Sequence, residues 1–210
     1  MAKARSRRDV NLRLRIAYMA ARLMAEDGVA DYGTAKWKAA RQAGLSDANL
    51  LPDNDEIESA LREYQSLYQK DEQPGHVRHL REVAVRVMRD FAAFRPVLVG
   101  SVLAGTATQF SDVNLQLFTD DPKALTMFLL NRRARFEETS RRLRRGDQSH
   151  DVPQILLDVD GVTVTMTVLT PDDERAGARP RASEEPQRAR LAEVEALLQR
   201  DGWTPDSGGS

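Results

Sequence analysis

The sequence predicts an α+β protein: an all-helical region over residues 1–93, a mixed sheet with flanking helices over 94–170, and a loop with a closing helix over 171–210. Three observations carry this. Apolar residues recur at helical spacing through the first 95 positions, the period changes at Arg95-Pro96, and short β-branched runs with turn residues between them follow.

The elements follow in order. Leu12, Ile16, Met19, Ala20 and Leu23 make one helix over 11–26, which Gly28 stops. A second covers Tyr32 to Ala43 and ends at Gly44. After a loop from Leu45 to Asp53, Ile57, Leu61, Tyr64 and Leu67 form a third apolar stripe. Pro74 suits the first turn of a fourth helix that buries Val77, Leu80, Val83, Ala84, Val87 and Phe91. Val97-Leu98-Val99 and Val113–Phe118 read as strands, Asp121-Pro122 opens a helix through Leu130 that turns Leu125, Phe128 and Leu129 inward, and Arg135–Leu143 is a further candidate strand. Ile155-Leu156-Leu157 and Val162–Leu169 flank Asp158-Val159-Asp160-Gly161, whose Asp-Gly pair signals a hairpin. Pro171–Pro186 reads as a loop, and Gln187–Arg200 as the last helix; Ser207–Ser210 should fray.

Composition narrows the chemistry. The 210 residues contain no cysteine, which removes disulfides, thiolate metal sites and cysteine nucleophiles. No stretch approaches the ~20 apolar residues that span a bilayer, and Arg13, Arg15 and Arg22 break up the apolar positions a signal peptide would need; a cytoplasmic location with no membrane partner is expected. Arg supplies 26 of the 31 basic residues, beside Ala-rich helices, a pattern of high-GC bacterial genomes. The net charge of −1 conceals blocks: +5 over 1–50, −5 over 51–75, +5 over 132–145 and −7 over 146–174.

One constellation carries chemistry. Val97-Leu98-Val99-Gly100-Ser101 is followed after ten residues by Asp112-Val113-Asn114-Leu115-Gln116-Leu117-Phe118. A strand ending in Gly-Ser, a short helical segment and a second strand opening on Asp resembles the nucleotidyltransferase superfamily, that of DNA polymerase beta and small bacterial nucleotidyltransferases. The resemblance implies a nucleoside triphosphate or other phosphate ligand at Gly100 and Ser101, where a missing Cβ lets backbone amides approach phosphate. It implies Asp112 and Asn114 as catalytic and Mg²⁺-ligating positions, since residues i and i+2 of a strand share a face. The family has a second carboxylate where this chain has Asn114, and a third on a later strand, where Thr163, Thr165 and Thr167 occupy one face and Val162, Val164, Met166 and Val168 the other. Asp158 and Asp160, beside the hairpin glycine, read as turn formers. Transfer of a nucleoside monophosphate is therefore expected to be weak or absent, which makes a pseudoenzyme acting through protein partners an alternative.

Residues 17–46 resemble the start of TetR-type DNA-binding domains, with Ala40-Arg41-Gln42-Ala43-Gly44-Leu45-Ser46 before the position of a recognition helix. That implies a nucleic-acid partner for residues 1–50, against which the acidic 51–75 block argues. Arg132, Arg133, Arg135, Arg141, Arg142, Arg144 and Arg145 are candidates to grip phosphate or to form a solvated face. His76 and His79 lack further ligands nearby and read as surface residues.

Overall fold

The structure is a computed structural model that describes residues 2–29, 31–45, 50–145, 148–177 and 188–200. It is α+β, with a helical N-terminal region and a five-stranded mixed sheet. The chain divides into two compact units, residues 1–77 with 106–111, and 78–105 with 112–210.

The first unit is built on α1 (Ala2–Glu26), α2 (Tyr32–Gln42) and α3 (Asn54–Tyr68). Their shared core holds Ile16, Ala20, Leu23, Ala39, Ile57 and Leu61. Small residues dominate α2, where Ala35, Ala39 and Ala40 are fully buried. Asp31 caps α2 by accepting from the Thr34 amide, and Asp53 opens α3 with a capping box closed by Glu56. Arg13 of α1 donates to Glu56 at 2.7 Å and to Asp53 at 3.3 Å, so the acids that begin α3 are partly engaged within the bundle. Leu67 departs from its expected place in the stripe: it is 64% exposed, because the core ends at Tyr64. The segment 106–111 belongs here too. Gln65 donates to the Thr106 carbonyl, the His76 ring bonds the Thr108 carbonyl, and Phe110 lies against Gly28.

The second unit contains most of α4 (Gln73–Asp90), then β1 (Val97–Val99), α5 (Ser101–Ala104), β2 (Val113–Phe118), α6 (Pro122–Asn131), β3 (Phe136–Arg145), β4 (Gln148–Val159), β5 (Val162–Leu169), α7 (Pro171–Gly177) and α8 (Leu191–Arg200). Sheet order is β1-β2-β5-β4-β3, with β2 and β5 parallel and the other pairs antiparallel. Asp160 and Gly161 both take positive φ, 56° and 79°, as a two-residue hairpin requires, and the Gly161 amide donates to Asp158. Asp158 and Asp160 are thus turn residues as expected, with Asp160 also pairing to Arg86.

Two expectations for the C-terminal part are corrected. Pro171–Gly177 is helical rather than loop, because Thr170 and Asp173 cap each other reciprocally and Pro171 occupies the first turn. The last helix begins at Leu191, since Ala189 instead exchanges both backbone hydrogen bonds with Leu98 at the edge of β1. Residues 46–49, 178–187 and 201–210, which include Ser46, the rest of the expected loop and the expected frayed end, lie outside the described residues.

Candidate functional site: the polar face of the sheet

Strand register sorts the sheet into two chemically different faces. Leu98, Val113, Leu115, Leu117, Val164 and Met166 share the apolar face and are buried. The opposite face carries rows of polar side chains. Asn114 stands between Val99 of β1 and Thr165 of β5, and Gln116 between Val97 and Thr167, with Gln154 of β4 beyond. Asp112 directly precedes β2, whose first paired residue is Val113, opposite Val164; on the next strand pair Thr163 stands opposite Asp158. At the far end Phe118, Leu169, Val97 and Val152 close the face with an apolar cluster.

Gly100 follows Val99 directly and adjoins Asn114: a Cβ built on it would lie 3.9 Å from Asn114 Cβ and Nδ2. Its φ of 77° with ψ of −158° is open to glycine almost alone. As the residue before α5 it provides no side-chain cap, and its carbonyl accepts from the Ala104 amide at 3.0 Å. The register sets Asn114 beside Thr165, Gly100 adjoins Asn114, and Asp112 lies two residues before Asn114 at the start of the same strand. Asn114 Nδ2 donates to the Asp112 carbonyl at 3.2 Å, which orients its amide oxygen away from that bond. Burial pushes the Asp112 carboxyl above its ordinary range, and no described cation offsets it. Gln116 Oε1 is buried without a hydrogen-bond partner, and Gln154 donates to Thr167 Oγ1 at 3.0 Å.

Among the described residues no three of His, Asp or Glu come together as a metal site. Asp112 contributes one carboxylate and Asn114 one amide oxygen, a donor set that by its number suits one hydrated Mg²⁺ and falls short of what a pair of ions needs.

Arg81 was not singled out by the sequence. It is 7% exposed on α4, donates from Nε to the Val102 carbonyl and from Nη2 to the Leu103 carbonyl, both at 3.0 Å, and so holds the C-terminal end of α5. A Cβ on Gly105, whose φ is 78°, would lie 3.3 Å from Arg81 Nη2. The available signal was position: residue 81 is four on from Val77 and three before Ala84, on the helix face that is otherwise apolar. Arg188 was also missed. Its guanidinium lies 5.5 Å from the Phe118 ring centre, and burial lowers its pKa.

Among the described side chains of the arginine cluster the contacts are separate. Arg132 stacks on Phe128 and pairs with Asp90; Arg141 and Arg142 alternate across β3, and Arg142 pairs with Asp151. The side chains of Arg144 and Arg145 lie outside the described residues. His79 is exposed, as expected for a surface residue, while His76 is half-buried on its carbonyl partner. Among the described residues no helix is long and apolar enough to cross a membrane. Comparison of the chain with protein-family models and with curated proteins finds no match to either.

Proposed function

We propose that the chain is a nucleotidyltransferase-like protein that binds a nucleoside triphosphate or related phosphate ligand at the Gly100 end of the polar sheet face, with little or no transfer activity. The observation that supports this most is the pairing of Asn114 with Thr165, with Gly100 against Asn114 and Asp112 two residues before it. Backbone amides after Gly100, together with the Ser101 hydroxyl, serve as phosphate donors. Asp112 and Asn114 would hold one Mg²⁺, which would supply positive charge against phosphate oxygens.

Weak transfer follows from charge. A carboxylate with i+2 and cross-strand acid neighbours would bring three negative charges to the metals; here Asn114 and Thr165 are neutral, and Asp112 alone carries charge. Asp112 also binds a proton more readily than an exposed carboxyl, and a bound cation reverses that tendency. Calorimetric titration with ATP and Mg²⁺ should show metal-dependent binding that Asp112→Ala weakens at least tenfold. Labelled triphosphates with candidate acceptors should give little product; rapid turnover abolished by Asp112→Ala would overturn the assignment of weak transfer, and absence of any nucleotide binding would overturn the site.

A further inference from the structure

We propose that the chain forms a two-fold homodimer by pairing β3 antiparallel with β3 of a second copy, which joins the two five-stranded sheets into one. β3 is the last strand in the sheet order, and among the described residues no strand pairs with its outer edge. It is ten residues long, holds no proline or glycine, and runs against β4 in unbroken register from Phe136 opposite Leu157 to Arg145 opposite Gln148, with no bulge. A long, regular edge of unpaired N–H and C=O groups is a template for another strand unless proline, a bulge or repelling charge blocks it. Part of this edge also lacks backing. β4 pairs with β5 only from Gln154 onward, so Ser140–Arg145 and Gln148–Pro153 continue past β5 as a ribbon of two strands. Of its described side chains only Val152 is buried. Two strands by themselves are marginally stable in water, and a third stabilises them.

The charges identify that third strand as a second copy. Residues 136–143 read Phe-Glu-Glu-Thr-Ser-Arg-Arg-Leu, acidic in the first half and basic in the second. Every residue from Glu137 to Arg142 is exposed. Antiparallel pairing lays each acidic half on the other copy's basic half, whereas parallel pairing would set like charges together. Both signs are present in the order that matches a copy of itself, so the charge that would repel a strand of one sign here selects β3.

Register follows from symmetry. A two-fold axis normal to the sheet generates the antiparallel pair and keeps each face of the sheet on its own side, so only residues of the same face come opposite each other. Centred on Thr139, the pairing sets Glu137 opposite the partner's Arg141 and Arg141 opposite the partner's Glu137, while Glu138 meets the uncharged side chain of the partner's Ser140. Centring on Glu138 or on Arg141 would set that residue against itself. Centring on Ser140 would match Glu138 with Arg142, which are engaged already: Glu138 accepts from Thr126, and Arg142 pairs with Asp151. Among the described residues Glu137 and Arg141 have no ion-pair partner. The Thr139 register also lays Phe136–Glu138 of each copy, backed by β4 and β5, along Ser140–Arg142 of the other, where the ribbon is unbacked. The backbone ladder supplies the binding, and the two charge pairs fix partner and register.

Sedimentation equilibrium on the full chain at about 100 µM, well above the Kd of an ordinary stable dimer, should give twice the 23.5 kDa of one chain. E137R alone and R141E alone should each raise the dissociation constant by about tenfold or more, because both symmetric pairs become like-charged, while circular dichroism stays that of the parent. The variant carrying both changes should dimerise again, since the exchanged charges still match, and this recovery separates charge pairing from damage to the fold. Cross-linking reads the register. The chain has no cysteine, and Thr139→Cys would set two thiols opposite each other with Cα atoms about 4.5–5.5 Å apart, within disulfide range. Mild oxidation should therefore give covalent dimer, and Ser140→Cys, offset from its copy by two residues, should not. A parent that stays monomeric, a dimer indifferent to E137R, a double variant that remains monomeric, or cross-linking at Ser140→Cys in place of Thr139→Cys would overturn the proposal.

Discussion

Replacing Arg81 by Met tests how the fold holds the Gly100–Ser101 turn. The guanidinium is 7% exposed and donates to the Val102 and Leu103 carbonyls at 3.0 Å each. Methionine has a comparable apolar stem and no donor, so the loss includes both carbonyl bonds. A buried acceptor deprived of its partner costs about 1–3 kcal/mol. Two of them give about 4 kcal/mol, which for a protein of this size lowers the melting temperature by about 10 °C. Lysine should fall between the two, since a single ammonium keeps the charge near the end of α5 without the fork that meets both carbonyls. Scanning calorimetry of the parent and both variants provides the numbers, and nucleotide titration on the folded variants should show weaker binding as α5 loosens. If Arg81→Met melts within about 2 °C of the parent, a loss under about 1 kcal/mol, the guanidinium does not anchor α5.

Further outcomes follow from the same contacts. Asp112→Asn should raise the melting temperature while weakening Mg²⁺-dependent binding. Because burial lifts the folded-state pKa above the unfolded value near 3.8, the folded state holds the extra proton; stability from this group falls as pH rises through that interval, and the amide removes the penalty at neutral pH. Gly105→Ala should cost about 1 kcal/mol for its left-handed backbone, and more as its methyl displaces Arg81, by denaturant titration. Gly161→Ala should cost only the backbone part, about 1 kcal/mol, since nothing lies within 4 Å of the added methyl. Glu56→Ala removes half a capping box and the 2.7 Å pair with Arg13, so about 1–2 kcal/mol should be lost in thermal melts.

The sequence made some of this legible and concealed the rest for identifiable reasons. Helices with a one-sided apolar pattern could be read directly: α4 buries Val77, Leu80, Val83, Ala84 and Val87 as their spacing implies, with Phe91 buried just past its end. So could the β4–β5 hairpin, because a turn with two positive φ values leaves an Asp-Gly mark. The alternation of β5 identified which residues share a face with Asn114 before any register was known. Arg81 was hidden because a cation on an apolar helix face has no periodic signature; only the carbonyl ends of α5, distant in sequence, explain it. Thr170-Pro171-Asp172-Asp173 is a helix start that the surrounding polar composition masked. The extended Arg188–Arg190 segment depends on backbone pairing with β1, which no local propensity encodes. Leu67 followed the period of α3 yet faces outward, since the period describes a helix and not the length of its partner.

The site itself is tested most directly by ¹⁵N–¹H correlation spectra recorded during titration of the full chain with ATP and Mg²⁺. Saturable shifts centred on the amides of Gly100, Ser101, Val102, Asp112, Asn114 and Thr165, reduced in Asp112→Ala, are the expected result. Shifts centred on α1–α3 with these amides unmoved, or no shifts at millimolar nucleotide, would contradict a phosphate site on the polar face of the sheet.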